Sequence, residues 1–189
     1  MNGRINVVSS TWLSIRIDLV SGGGDELWPR PGRIFAAARR HTFAELATAI
    51  DDAFARWDRS HLHEFELGNG LRIGEPDPDF DEPGIVLGSG KTRLSHLDLG
   101  QQFVYIFDLG DCWTHLCTVA DSRIDPVRAV GVEPDLPCPY WGWGTIPDQY
   151  GRRWDGDDTQ TPMPPDPQLS DLPPIHPGWG SRITRSTTY

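Results

Sequence analysis

The chain has 189 residues with a formal net charge of −10 and 38% apolar residues, and it carries 17 prolines and 20 glycines. That length fits one domain with appendages and can bury a core, while charge of that sign disfavours non-specific binding to phosphate backbones. No run approaches the roughly 18 apolar residues a membrane span requires, and the start lacks a charged-then-apolar signal pattern, so a cytoplasmic protein with no membrane partner is expected. Eight tryptophans argue against wholesale disorder, because large aromatics dominate core burial.

The negative charge is spread along the chain: residues 1–154 hold 15 basic against 22 acidic side chains (−7), and residues 155–189 hold 2 against 5 (−3). Arg30, Arg33, Arg39, Arg40 and His41 lie in a stretch without carboxylates, which reads as a solvated loop and strand rim before a phosphate-binding face. The three cysteines, Cys112, Cys117 and Cys138, form a poor disulfide framework and suit a reducing compartment.

Taken in chain order, "TWLSIRIDL" alternates, with Leu13, Ile15, Ile17 and Leu19 on one face, which predicts a half-buried strand over 11–19. A glycine- and proline-rich loop follows, then a short strand over 33–38. "HTFAELATAIDDAFARW" places Phe43, Leu46, Ala47, Ile50 and Phe54 on one stripe behind a Thr42–Glu45 capping box, predicting a helix over 42–57. "HLHEFEL" reads as a strand over 61–67, turning at 68–70 into a strand over 71–74. The acidic "EPDPDFDEP" lacks the spaced ligands of a Ca²⁺ loop and reads as solvated. Strands over 102–107 and 113–119 flank "DLGDC" as a hairpin and are aromatic and β-branched enough to be central to a sheet. The stretch 137–154 has too many prolines and glycines for helix or strand, although its aromatics could fold it over the body. From 155 to 178, seven prolines and five aspartates with no lysine or arginine predict an extended tail, taken as 155–189.

The chemistry concentrates in two places. If His61 and His63 share a strand face, they stand about 6.5–7 Å apart and could converge on one metal, which zinc would bind at about 2.0–2.1 Å from nitrogen. Asp108, Asp111 and His115 are the available further donors, and Glu64 is a nearby carboxylate that, if it points to the opposite strand face, cannot join them without a bulge. Against this, aspartates flanking a turn glycine commonly bond local amides. Cys112 and Cys117 are five apart, so a regular strand turns them to opposite faces. There is no phosphate loop, Gly-x-Ser-x-Gly elbow or dinucleotide fingerprint.

The order of strand, capped helix, "HLHEF" and "DLGDCWTH" resembles the plasmid pRiA4b ORF-3-like family, also known as passenger proteins of insertion elements, over about residues 11–120. Leu109 stands where that family usually has Phe, and Cys112 where it has an acidic or polar residue. The resemblance implies a compact α+β fold with no agreed activity, and it groups His61, His63, Glu64, Asp108, Asp111, Trp113 and His115 as one functional or folding-critical cluster.

The expected architecture is α+β, a mainly antiparallel sheet packed by one principal helix, with a single domain over 1–154 and the Pro/Asp-rich tail beyond it. Two functions compete. One is a non-catalytic binding or accessory module, associated with plasmids or mobile elements, that recognises a protein or peptide. The other is a metal-dependent hydrolase or nuclease holding zinc or manganese through His61, His63, His115 and Asp108.

Overall fold

A computed structural model describes residues 11–76 and 86–150. The predicted tail over 155–189 and most of the acidic 75–83 segment lie outside them. The described chain forms strands β1 (Trp12–Gly22), β2 (Asp25–Glu26) and β3 (Gly32–Ala38), then helix α1 (Phe43–Ala53). Strands β4 (His63–Leu67), β5 (Arg72–Gly74), β6 (Val86–Gly88), β7 (Gln102–Phe107) and β8 (Trp113–Val119) follow, and helix α2 (Pro126–Val130) and strand β9 (Cys138–Trp143) complete it. One mixed sheet runs β6-β5-β4-β7-β8-β1-β3-β9, with β2 beside β1. Among the described residues only the β5–β6 pair is parallel. The fold is α+β, dominated by strands, with one main helix.

Period-two patterning explains why the sheet has a dry face. Leu13, Ile15, Ile17 and Leu19 of β1 are fully buried, as are Phe103, Tyr105 and Phe107 of β7 and the inward residues of β8. α1 lays Phe43, Leu46, Ala47 and Ile50 onto this face. Phe43 meets Phe65 edge-on at a ring separation of 5.0 Å, a favourable aromatic geometry. The opposite face is covered more locally: Trp12, Ala36, Ala38 and Tyr140 pack with Ala129 and Val130 of α2.

The helix starts as the sequence predicts, with Thr42 and Glu45 forming a capping box, but it ends at Ala53 and not at 57. Ala55 adopts a left-handed conformation (φ 55°). The Arg56 N–H turns back to the Asp51 carbonyl at 2.8 Å, and the Ala55 N–H to that of Asp52 at 3.4 Å. This is a Schellman ending without the usual glycine. α2 carries conventional signals: Asp125 accepts from the Val127 and Arg128 amides, Pro126 opens the helix, and Gly131 closes it at positive φ.

The loop expected over 137–154 is corrected over 138–143 by β9, five of whose six residues pair with β3. It lies at the end of the strand order, where a proline's missing donor is tolerated, and the register shifts opposite Pro139. β2, β6 and α2 were not anticipated. β1 also runs on past residue 19 to Gly22, with a bulge between Leu19 and Ser21.

Candidate functional site

Strand pairing brings the two sequence motifs side by side. β4 pairs with β7 so that His63 opposes Phe107 and Phe65 opposes Tyr105. β7 pairs with β8 so that Phe107 opposes Trp113 and Tyr105 opposes His115. The rows His63–Phe107–Trp113 and Phe65–Tyr105–His115 therefore cross three strands on the buried face.

His61 does not share that row. The strand begins at His63, so the expected two-residue alternation between the histidines is corrected. His61 Nδ1 faces Asp108 Oδ2 at 3.3 Å, and its Nε2 lies 2.7 Å from the Tyr150 hydroxyl. That hydroxyl donates to Asp58 at 3.0 Å. His63 Nε2 instead meets the Ser89 hydroxyl at 3.2 Å, and burial lowers its pKa. Glu64 pairs with Arg72 across the sheet.

Asp108 holds the hairpin. It sits at φ 57°, its Oδ1 accepts from the Gly110 and Asp111 amides at 3.0 and 3.3 Å, and its own N–H donates to the Leu62 carbonyl. This is the local amide bonding that aspartates at turns favour. Its second oxygen remains for His61. All three cysteines are free: Cys112 is exposed in the turn, Cys117 is buried and Cys138 half-buried.

His115 is sealed inside. Its ring meets Phe54 edge-on at 4.7 Å and Tyr105 at a tilt at 5.4 Å, and neither nitrogen has a hydrogen-bond partner. Burial, helped by the Arg56 charge, pushes its pKa down to about 3. Nearby, Asp51 accepts from the Tyr105 hydroxyl at 2.7 Å, and burial pushes its carboxyl up to about 7. Arg56 is fully buried, with its guanidinium carbon 3.7 Å from the Trp113 ring centre. The four residues named as metal ligands are thus divided: His61 and Asp108 meet, His63 meets Ser89, and His115 is enclosed in the core. Among the described residues no group of three or more His, Cys, Asp or Glu side chains is placed to hold a metal ion.

Asp51 was missed although its signal was present. It lies four residues after Ala47, inside the apolar stripe of α1, where a carboxylate must find a partner. The other missed residues come from a strap at 147–150 that runs beside the segment leaving α1. Arg56 donates to the Pro147 carbonyl at 2.8 Å, and Trp57 to Asp148 at 3.2 Å. The Asp58 backbone exchanges two bonds with the Gln149 side chain, and Tyr150 reaches His61. No local pattern announces contacts so distant in sequence.

Between this strap, the hairpin and the end of β1 lies a cleft of about 430 Å³, lined by residues that include Gly22, Gly23, Asp25, Asp111, Trp113 and Tyr150. The Gly23 N–H donates to the Asp111 carbonyl at 2.9 Å, joining two of its walls. Gly22 is required for close approach: a β-carbon there would come 2.0 Å from Trp113 Cε3. Gly22→Ala is therefore expected to lower stability by about 1–3 kcal/mol through overpacking. Gly88→Ala, whose β-carbon would meet nothing within 4 Å, serves as the control. Paired thermal unfolding curves check this, and equal midpoints would refute the packing claim. Tyr150 lines the cleft, and Trp57, Leu62, Leu109 and Tyr150 are each 45–56% exposed. Trp57 and Tyr150 meet edge-on at 5.2 Å, and Leu62 and Leu109 adjoin His61 and Asp108 in sequence.

These features define a small, strand-dominated α+β protein whose sequence motifs converge on a hairpin-and-strap cleft. A family model described as plasmid pRiA4b ORF-3-like protein matches residues 15–136, and the chain belongs to that family. Among solved structures it is similar to a crystal structure of a protein of unknown function, MM3350, from Methanosarcina mazei Go1. The two share 23% identity with a TM-score of 0.55, covering 74% of this chain and 72% of that one. That likeness speaks to the fold alone. No curated protein matches. Among the described residues no helix is long and apolar enough to cross a membrane.

Proposed function

We propose that this chain is a non-catalytic binding module that recognises a protein or peptide at the hairpin-and-strap end. The observation that carries the reading is the open cleft edged by the exposed Tyr150, with exposed Trp57 packed on that ring and exposed Leu62 and Leu109 next in sequence to the His61 and Asp108 that Tyr150 adjoins. Isolated exposed apolar residues are ordinary, but a contiguous group beside a concavity marks interaction surfaces. Aromatic side chains of this kind dominate binding energies when a partner covers them. His61, Asp108, Asp111 and Trp113 then act as the scaffold and rim of that surface.

An accessory role in a plasmid or mobile-element setting, in the cytoplasm, belongs to the same proposal. Its support is the family description and three unpaired thiols. The net charge of −10 argues against nucleic acid as the partner. The arrangement also favours binding over metal-dependent hydrolysis, since His61 already spends both nitrogens on protein groups and His115 is buried away from the cleft.

Proximity labelling in the host, comparing the parent chain with Leu62→Asp/Leu109→Asp, tests the reading. A reproducible partner that the double variant labels at least tenfold less, while Val127→Asp on α2 leaves it unchanged, is the expected result. Identical labelling by all three would refute it. So would stoichiometric zinc or manganese in untagged protein that disappears in a folded His61→Ala/Asp108→Ala variant.

A further inference from the structure

The fold separates the arginines of the carboxylate-free stretch. Arg33 is buried and donates to the Gly32 and Trp143 carbonyls at 2.7 and 3.0 Å. Arg39 and Arg40 instead emerge between β3 and α1, where a second stretch without carboxylates meets them. Residues 37–44 and 89–97 hold no Asp or Glu, and backbone contacts lay one against the other. The Phe43 N–H donates to the Thr92 carbonyl at 3.0 Å, and the Leu94 N–H to that of His41 at 2.8 Å. Thr42 and Arg93 form an isolated bridge. Arg39, Arg40, Lys91 and Arg93 are thereby gathered from two distant segments into one basic face.

Their charges are held in place without being neutralised. Arg39 donates to the Ser95 carbonyl at 2.6 Å and Arg93 to the Arg40 carbonyl at 2.9 Å, so each fork is anchored while most of its five donors stay unused. Arg40 meets Glu133 at 3.9 Å with both side chains about half exposed, a pair worth little. Among the described residues Arg39, Lys91 and Arg93 have no ion pair. The bordering carboxylates are committed, Glu45 to the Thr42 cap and Glu75 to the Ser89 hydroxyl. Elsewhere Arg16, Arg59 and Arg72 pair with Asp18, Asp52 and Glu64. In a chain of net charge −10, this face is where a negative segment is attracted and not repelled.

The chain carries such a segment. Residues 155–171 hold five aspartates with no lysine or arginine, and they lie five to twenty-one positions beyond Tyr150. A chain spans at most about 3.3–3.6 Å per residue, so these positions can reach from about 17 to about 70 Å, against a diameter of about 30 Å for a small domain. Tethering also keeps them at an effective concentration in the millimolar range. We infer that the aspartate-rich segment 155–171 docks on the Arg39–Arg40–Lys91–Arg93 face of its own chain, its carboxylates on the guanidinium forks. The basic face of an acidic protein is then covered from within, which keeps other polyanions off it. This surface is separate from the hairpin-and-strap cleft, and neither reading depends on the other.

Lys91 is the only lysine in the sequence, which makes the contact directly readable. A carbodiimide joins a carboxylate to a touching amine without a spacer, and peptide mapping by mass spectrometry identifies the pair. In dilute full-length chain Lys91 is expected to couple to aspartates of 155–171 within one molecule. Coupling is expected to fall about fivefold or more when salt is raised to about 1 M, where the Debye length is about 3 Å. Arg39→Gln/Arg93→Gln, which retains Lys91, is expected to lower it to a similar extent at an unchanged thermal midpoint. Coupling of Lys91 to Glu75 alone, or no coupling, would overturn the proposal. So would tail coupling that neither salt nor the variant reduces. Tail coupling between two molecules, growing with protein concentration, would replace docking within one chain by a contact between copies.

Discussion

Arg56→Ala is expected to lower the unfolding free energy by about 3–5 kcal/mol, the sum of a cavity and of buried carbonyls left without donors. Arg56 is 0% exposed, and its Nε and NH2 donate to the Phe54 and Pro147 carbonyls at 2.8 Å each. Its guanidinium also covers the Trp113 ring, so one side chain joins the helix ending, the hairpin and the strap. Burial opposes this by pushing its pKa down to about 10, still high enough to keep the charge near neutral pH. Arg56→Met refills the volume without burying a charge and is expected to recover about half of the loss. Urea unfolding followed by tryptophan fluorescence measures both variants. A loss under about 1 kcal/mol in Arg56→Ala would show that the strap is held by its other contacts alone.

Removing Asp51 or His115 is expected to give the stability curve opposite slopes against pH. Burial raises the Asp51 carboxyl to about 7, against about 3.9 in an unfolded chain. The folded state therefore keeps a proton that the unfolded state releases. Its contribution is fully present below about pH 3.9 and is lost as pH rises through about 7. For His115 the folded value falls to about 3, against about 6.5 unfolded, so its contribution is complete above about 6.5 and disappears as pH falls toward 3. Between about pH 4 and 6.5 the two slopes nearly cancel in the parent chain. Asp51→Asn leaves the histidine slope, and stability is expected to rise by up to about 3 kcal/mol across that window. His115→Phe, which places a ring beside Phe54 and Tyr105, leaves the aspartate slope, and stability is expected to fall by a similar amount. Urea titrations at several pH values read the slopes directly. Parallel curves for both variants would sink the assignment of either buried group.

Much of the frame was legible because it follows local periodicity. Alternation marked β1, β7 and β8, and the 43–46–47–50–54 stripe with its Thr42–Glu45 cap marked α1. α2 carried readable signals, Asp125-Pro126 before it and Gly131 after it, although its short apolar run is easily passed over. The true end of α1 was not legible, because an alanine occupies the left-handed position where glycine is the usual sign. β9 was hidden because its proline, Pro139, is acceptable only on an edge strand or at a bulge, and edge position is a property of the whole sheet.

For the candidate site the division runs along sequence distance. "HLHEF" and "DLGDCWTH" could be singled out from the chain, and strand order then set them next to each other. That His61 belongs with Asp108 and Tyr150, while His63 and His115 turn elsewhere, depended on where β4 begins and on a strap about ninety positions away. Patterning governs which face of each element is buried, because that depends on a residue's near neighbours and on water. Partnership between polar groups depends on which distant segments share the same low-dielectric space, and folding alone settles that.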